Sequence, residues 1–227
     1  MREVVLDTET TGLDPAAGHR LVEVAGVELE NHVPTGRRYH AYVNPEREVP
    51  QEAFAVHGLS WTFLAAYPRF AALAEDILAF LGDAPLVIHN ASFDMRFLNQ
   101  ELEWAGHDPL PEPQAVDTLA MARQRFPGAQ VNLDALCKRF GVNNAARELH
   151  GALLDCDLLA EVYLHLRGGR QPGLALVEAP TSAGGDDRVG IASRPRREPR
   201  PHAPAPAERE AHAAMCDKLK NPLWQRP

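Results

Sequence analysis

The sequence predicts an α/β fold in which helices flank a mixed β-sheet, followed by a disordered linker and a short helical tail. Three observations support this prediction. The first 170 residues alternate short β-branched apolar runs with segments whose apolar residues recur at helical spacing. A proline-rich stretch from residue 180 to 206 then has almost no large apolar side chains, and residues 208–227 regain helix-forming composition.

The predicted strands are short and end at turn or acidic residues. Apolar runs at residues 4–6, 21–29 and 39–43 are expected to form a three-stranded meander. Residues 86–88 form a fourth, buried strand, and Val116 lies in a fifth. Strands in this order, with helical segments between the later ones, favour a mixed sheet covered by helices.

The predicted helices have recognisable ends. Helical periodicity covers residues 70–81 and 92–105, and a glycine follows each segment. Asn132 is expected to cap a helix that runs to residue 140, and a last helix spans residues 152–166. We therefore predict a folded domain at residues 1–170.

The rest of the chain is expected to lack a core of its own. Residues 171–207 contain too few large apolar side chains to offset the entropy of ordering, so they are predicted to form a disordered linker. Residues 208–227 form a short amphipathic tail that we expect to fold on a partner.

Composition excludes several classes of protein. The chain has 23 Lys+Arg against 31 Asp+Glu, a net charge of −8, so bulk charge cannot hold it on nucleic acid. No apolar run reaches the length of a membrane span, and the N-terminus lacks the pattern of a signal peptide. The three cysteines have the spacing of neither a disulfide framework nor a zinc site. A soluble cytoplasmic protein is expected.

Five polar residues lie at or after the ends of predicted strands or at the start of a predicted helix. Asp7 and Glu9 end the first strand, where the two-residue period turns both carboxylates to one side. Asp94 follows the fourth strand, and His150 and Asp155 bracket the start of the last helix. Taken singly, polar residues at each of these positions are typical of an ordinary junction between two elements at the protein surface.

Together these residues predict a nuclease centre. Carboxylate oxygens are the ligands that Mg²⁺ and Mn²⁺ prefer, whereas zinc favours histidine and cysteine. Two such ions about 4 Å apart can activate a water and stabilise the leaving oxygen of a phosphodiester. A neutral histidine beside them can accept the proton of that water.

Three motifs carry a resemblance to a known family. Residues 7–12 (DTETTG), 89–94 (HNASFD) and 150–155 (HGALLD) resemble, in order and spacing, the motifs of the DEDDh branch of the 3′–5′ exonuclease superfamily. The chain is most similar to the bacterial DNA polymerase III epsilon (proofreading) family, and this similarity extends through residues 52–59 and 133–137. It covers about the first 170 residues and implies an RNase H-like fold.

The resemblance implies a role for each polar residue. Asp7 would bridge two Mg²⁺ or Mn²⁺ ions, Glu9 and Asp155 would be further ligands, and Asp94 would act directly or through water. His150 would be the general base. All five positions match the motif of the family.

Substrate contacts follow from the same resemblance. Thr8 and Thr10 would contact the terminal nucleotide through backbone or hydroxyl groups, and Val56 and His57 would lie against its base or sugar. A loop that merely packs on the domain is the alternative for Val56 and His57.

Three further polar residues are expected to lie outside the catalytic set. Asp117 is expected to be a helix N-cap rather than a metal ligand. Asp157 lies about 200° round the helix from Asp155 and is expected to be solvated. His89 could contact a phosphate, but a structural hydrogen bond is the preferred interpretation.

The resemblance also implies protein partners besides the DNA 3′ end. A clamp-binding peptide at residues 171–176 would contact the sliding clamp, although a chance apolar stretch is the alternative; its contact residues would be Gln171, Leu174 and Leu176. The tail would dock on the catalytic (alpha) subunit of the polymerase through Leu219, Leu223 and Trp224. A small accessory subunit is a further candidate partner.

These inferences predict a metal-dependent 3′–5′ exonuclease that proofreads for a bacterial replicative polymerase, in the nucleoid-associated replisome of the cytoplasm. One alternative is a stand-alone DEDDh nuclease that trims RNA or single-stranded DNA. The other is a structural adaptor between polymerase and clamp whose nuclease site is idle.

Overall fold

The computed structural model describes residues 1–145, 147, 149–169 and 204–218. The chain divides into two units after residue 174, and the second unit contains helix α8 (Pro206–Cys216). The predictions about the linker and the docking residues fall largely outside the described residues. The predicted contact residues that fall outside the described part are Gln171, Leu174, Leu176, Leu219, Leu223 and Trp224.

Five strands form one mixed sheet in the first unit. They are β1 (Arg2–Thr10), β2 (Leu21–Glu30), β3 (Val33–Tyr42), β4 (Leu86–Ile88) and β5 (Ala115–Asp117). Their spatial order is β3-β2-β1-β4-β5. The first three strands are antiparallel neighbours, whereas β4 pairs in parallel with both β1 and β5. The predicted meander and the mixed sheet are confirmed.

Seven α-helices among the described residues of this unit lie between or after the strands. They are α1 (Gln51–His57), α2 (Trp61–Leu64), α3 (Phe70–Leu81), α4 (Ala91–Trp104), α5 (Thr118–Arg125), α6 (Leu133–Phe140) and α7 (Ala152–Leu166). The predicted helices α3, α4, α6 and α7 are confirmed to within a residue or so at each end. Within the described residues, no helix has the length and apolar composition needed to cross a membrane.

The alternation of side chains along β1 sorts them between two core layers. Val4 and Leu6 pack on the face of the sheet that α3 and α4 cover. Val5 packs on the opposite face with residues of α6 and α7. The same alternation turns Asp7 and Glu9 toward α7 and turns Thr8 toward α4.

Parallel pairing sets the position of the candidate site. Because β1, β4 and β5 run in parallel, their carboxyl ends meet at one edge of the sheet. The acidic end of β1, the start of α4 and the start of α5 therefore gather at this edge.

Candidate active site

Asp7 and Glu9 lie at the end of β1 on the face toward α7. Glu9 is buried, and in the β1–β2 register it lies directly opposite Glu23, which is also buried. Opposed residues of an antiparallel pair share a face, so the two glutamates lie on the same side of the sheet. The end of β1 is therefore acidic on one side.

Asp94 reaches the same edge from the other layer. Asn90 adopts a left-handed conformation before α4 (φ 71°), which turns the chain so that Asp94 falls in the first helical turn. The Thr8 hydroxyl donates to Asp94 Oδ1 at 2.6 Å, and both side chains are buried. The Asp117 carboxylate accepts the Asn90 N–H at 3.2 Å and so fixes the turn.

Asp155 and His150 come from α7 and the segment before it. Asp155 lies buried in the first turn of α7. Glu9, His150 and Asp155 each offer a ligand atom, and these atoms all lie within 4.8 Å of one another. The His150 N–H donates to the Val56 carbonyl at 3.0 Å, which ties this segment to α1.

Burial and mutual repulsion raise the pKa values of three carboxyls at this edge. Burial, followed by the charges of Asp94, Glu9 and Asp155, raises the pKa of Asp7 well above its usual range. Burial and the charge of Asp155 raise the pKa of Glu9 to about 8. Burial raises the pKa of Asp94 to about 7, although the Thr8 hydrogen bond opposes this shift.

Two charged residues that sequence analysis did not single out contact this cluster. Glu23 accepts the Ala152 N–H at the start of α7 at 3.2 Å and pairs with His40 at 2.7 Å. Arg147 donates to both oxygens of Asp155, at 2.5 and 2.7 Å. A charged residue within the apolar strand β2 was an available signal for Glu23, whereas Arg147 lies outside any helix or strand and follows no periodic pattern.

The residues predicted to contact substrate differ in their exposure and in the hydrogen bonds that they already form. The hydroxyls of Thr8 and Thr10 are engaged inside the protein, the latter with the Gly12 carbonyl at 2.6 Å, so their backbone groups are what remains for a nucleotide. Val56 is exposed. His57 is buried, and its Nε2 has no hydrogen-bond partner among the described residues.

Three other polar residues form contacts outside the cluster. Asp117 accepts the Leu119 N–H at 2.8 Å and so caps α5, as predicted. The His89 Nδ1 lies 2.9 Å from the Thr118 hydroxyl. The Asp157 carboxylate accepts a hydrogen bond from Arg38 at 2.9 Å.

The donor set suits hard divalent cations. Glu9, Asp155 and His150 bring their ligand atoms together, the charges of Asp94, Glu9 and Asp155 act on Asp7, and among the described residues no cysteine sulfur joins this group. Three of these carboxyls resist ionisation where they stand, and a guanidinium already lies on the fourth. Ionisation of these carboxyls therefore requires a neutralising positive charge, which divalent metal ions supply.

Sequence comparisons identify the family. Residues 4–163 match the family described as Exonuclease, RNase_T. The DNA polymerase III subunit epsilon of Rickettsia felis is 54% identical over 181 residues, which cover 78% of this chain and 79% of that protein. The protein of the same name in Escherichia coli is 43% identical over 188 residues, which cover 79% of this chain and 77% of that protein.

Solved structures share the fold. Exonuclease X in complex with 5′ overhanging duplex DNA is 27% identical with a TM-score of 0.56, over 72% of this chain and 89% of that one. The nuclease domain of 3′hExo, a DEDDh family member bound to rAMP, is 17% identical with a TM-score of 0.64, over 73% and 91%. The latter likeness concerns the fold alone and confirms the RNase H-like architecture. The chain belongs to the RNase T exonuclease family and, within it, to the DNA polymerase III epsilon subunits.

Proposed function

We propose that this chain removes mispaired nucleotides from the 3′ end of a DNA primer, as the proofreading subunit of a bacterial replicative polymerase. The observation that carries the proposal is that Glu9, Asp155 and His150 bring ligand atoms within 4.8 Å of one another, with Asp7 close enough to feel the charges of Glu9, Asp94 and Asp155. Relatives named DNA polymerase III subunit epsilon, which match over most of the chain, support it.

Two divalent ions, Mg²⁺ or Mn²⁺, are the proposed cofactors. Asp7 would contact both ions, Glu9 and Asp155 would complete their protein ligands, and Asp94 would act directly or through water. When bound, such ions activate a water molecule and stabilise the leaving oxygen of a phosphodiester. The acidic surface around the site then poses no barrier to a phosphate, because the ions supply the positive charge.

His150 is the proposed general base. Its ring lies at the carboxylates, and about half of its side chain is exposed, so a water molecule can reach it. His150 takes the proton of the attacking water, the new P–O bond forms, and the bond to the 3′ oxygen breaks. Each cycle thus releases one nucleoside monophosphate.

The proposed subsite for the terminal nucleotide lies beside α1. Val56 presents an exposed apolar surface there, and the neighbouring His57 is buried, with an Nε2 that has no hydrogen-bond partner among the described residues. These groups recognise no particular base, which suits an enzyme that must remove any nucleotide. Preference for a mismatch would then arise because a mispaired end frays more easily into a single strand.

The proposed partners follow from the family. The alpha subunit of the polymerase would hold the tail at Leu219, Leu223 and Trp224, and a sliding clamp would hold the peptide at residues 171–176. A small accessory subunit is a further proposed partner, and the replisome in the cytoplasm is the proposed location. Unchanged polymerase binding after deletion of residues 208–227 would contradict the docking role.

The test is degradation of labelled 3′ ends with Mg²⁺ or Mn²⁺ and with chelator. The substrates are a matched DNA primer, a mismatched DNA primer and an RNA strand. We expect metal-dependent loss of DNA ends, fastest at the mismatch and abolished in Asp7→Ala. The matched control is Asp157→Ala, because this aspartate lies on α7 outside the cluster and pairs with Arg38.

Other outcomes would favour the alternatives. Preferential loss of the RNA end would indicate a stand-alone trimming nuclease. Intact ends in every reaction, with retained binding to polymerase and clamp, would indicate a structural adaptor.

A further inference from the structure

Arg147 is a buried cation between two carboxylates. Only 7% of its side chain is exposed. Its Nε and Nη2 donate to the two oxygens of Asp155 at 2.5 and 2.7 Å, and its Nη1 donates to Asp134 at 2.8 Å. The guanidinium thus forms a two-pronged ion pair with a proposed metal ligand and a single contact with a carboxylate of α6.

This arrangement conflicts with simultaneous metal binding. A divalent ion on Asp155 would lie next to a guanidinium that already uses both carboxylate oxygens, and the two cations would repel each other at short range. The same positive charge reaches Glu9, whose pKa it lowers against the larger effect of burial. Arg147 and a metal ion therefore neutralise the same carboxylates.

Asp134 offers Arg147 an alternative partner. Its side chain is 54% exposed, it lies in the first turn of α6, and it also accepts a hydrogen bond from Asn144 at 2.9 Å. Arg147 itself lies between α6 and α7, outside any helix or strand. It can therefore leave Asp155 while it keeps its contact with Asp134.

Arg147 also contacts His150, the proposed general base. Arg147 Nη2 lies 3.2 Å from His150 Nδ1. Because a guanidinium can only donate, Nδ1 is the acceptor, and its lone pair is occupied by Arg147. Movement of Arg147 frees that nitrogen.

We propose that Arg147 and a divalent metal ion compete for Asp155, so that metal binding leaves Arg147 paired with Asp134 alone and releases His150. The inference rests on the proposed metal site. It makes Arg147 a positioning residue that holds the carboxylates and the base together until the ion arrives.

The first test is direct Mn²⁺ binding to the full chain, measured from the electron paramagnetic resonance signal of free Mn²⁺. Loss of the competing ion pair in Arg147→Met should tighten Mn²⁺ binding about tenfold. Arg147→Lys keeps the charge but loses the two-pronged geometry, so it should also bind Mn²⁺ more tightly than the wild type. Asp134→Asn should bind Mn²⁺ more weakly, because displaced Arg147 loses its alternative partner.

The matched control is Arg38→Met. Arg38 pairs with Asp157 on the same helix as Asp155 but outside the cluster, so its loss should leave Mn²⁺ affinity unchanged. Unchanged affinity in Arg147→Met would overturn the competition, because the ion would then bind Asp155 equally well with and without the guanidinium. Weaker binding in Arg147→Met would overturn it too, because Arg147 would then support the metal site.

Nuclear magnetic resonance can follow the release of Arg147 from Asp155. The Nε–H signal of Arg147, assigned by its absence in Arg147→Met, should shift as Mg²⁺ saturates the wild-type protein. A signal that stays unchanged while Mg²⁺ binds would overturn the inference and leave the proposed function intact. Failure of the wild type to bind either ion would overturn both.

Discussion

His150 differs from the carboxylates around it in its access to solvent. About half of its side chain is exposed, whereas Asp94 and Asp155 are buried. A residue that must exchange protons with water needs that access, whereas metal ligands benefit from exclusion of water. This contrast supports the different tasks proposed for His150 and the carboxylates.

The proposed role of His150 has a kinetic consequence. His150→Ala should lower kcat by about 10²- to 10⁴-fold, the usual contribution of general base catalysis, without a comparable loss of DNA affinity. Single-turnover rates and DNA binding, measured separately, check this expectation. His107→Ala serves as the control, because His107 follows the end of α4 far from Asp94. Equal losses in rate and affinity would contradict the role.

The residues whose positions follow a periodic pattern could be predicted from the sequence. The positions of Asp7 and Glu9 follow from strand alternation, and the capping role of Asp117 follows from its place before a helix. Arg147 could not be predicted, because it lies outside any helix or strand and no periodicity places its side chain. Glu23 carries a weak signal, since a charge in an apolar strand needs a buried partner.

At the scale of elements, α7 is held at both ends by buried glutamates of the sheet. Glu23 accepts the Ala152 N–H at its start. Near its end, the Tyr163 hydroxyl donates to Glu3 at 2.7 Å. Because Asp155 lies in the first turn, the contact with Glu23 sets the position of a proposed metal ligand.

Loss of Glu23 should therefore affect both stability and rate. Glu23→Ala leaves the Ala152 N–H and His40 without their acceptor, which should cost about 2 kcal/mol of unfolding free energy. Urea denaturation measures this cost, and exonuclease rate should fall as Asp155 loses its fixed position. Glu30→Ala is the control on the same strand, because its exposed carboxylate should matter by less than about 0.5 kcal/mol. A Glu23→Ala protein as stable as the wild type would show that Glu23 does not hold the start of α7.

Elements differed in how well sequence predicted them. The long helices α3, α4 and α7 have enough turns for their apolar period to emerge. Helices α1 and α2 have seven and four residues, too few for a period, and were not predicted. Strand β3 begins at Val33 instead of Tyr39, because its first residues are exposed and lack alternation.

At the scale of the whole molecule, one edge of the sheet concentrates negative charge in an already acidic protein. Raised pKa values mean that the folded chain, without metal, holds protons that the unfolded chain has lost. Folding stability must then fall with pH across the range between the unfolded and folded pKa values. For Glu9 that range runs from 4.5 to about 8, and for Asp94 from 3.8 to about 7.

We therefore expect the midpoint of thermal unfolding, measured in chelator, to decrease as pH rises from about 4 to about 8. Saturating Mg²⁺ should stabilise the protein most at the upper end of this range, because the carboxylates must be ionised to bind it. Glu9→Gln should flatten the profile in chelator, since it removes one of the groups that release protons. Glu30→Gln should leave the profile unchanged, because that carboxylate is exposed at the far end of β2. A chelated protein whose stability rises from pH 5 to 8 would show that buried carboxylates do not govern it, and the acidic edge would then need another source of neutralisation.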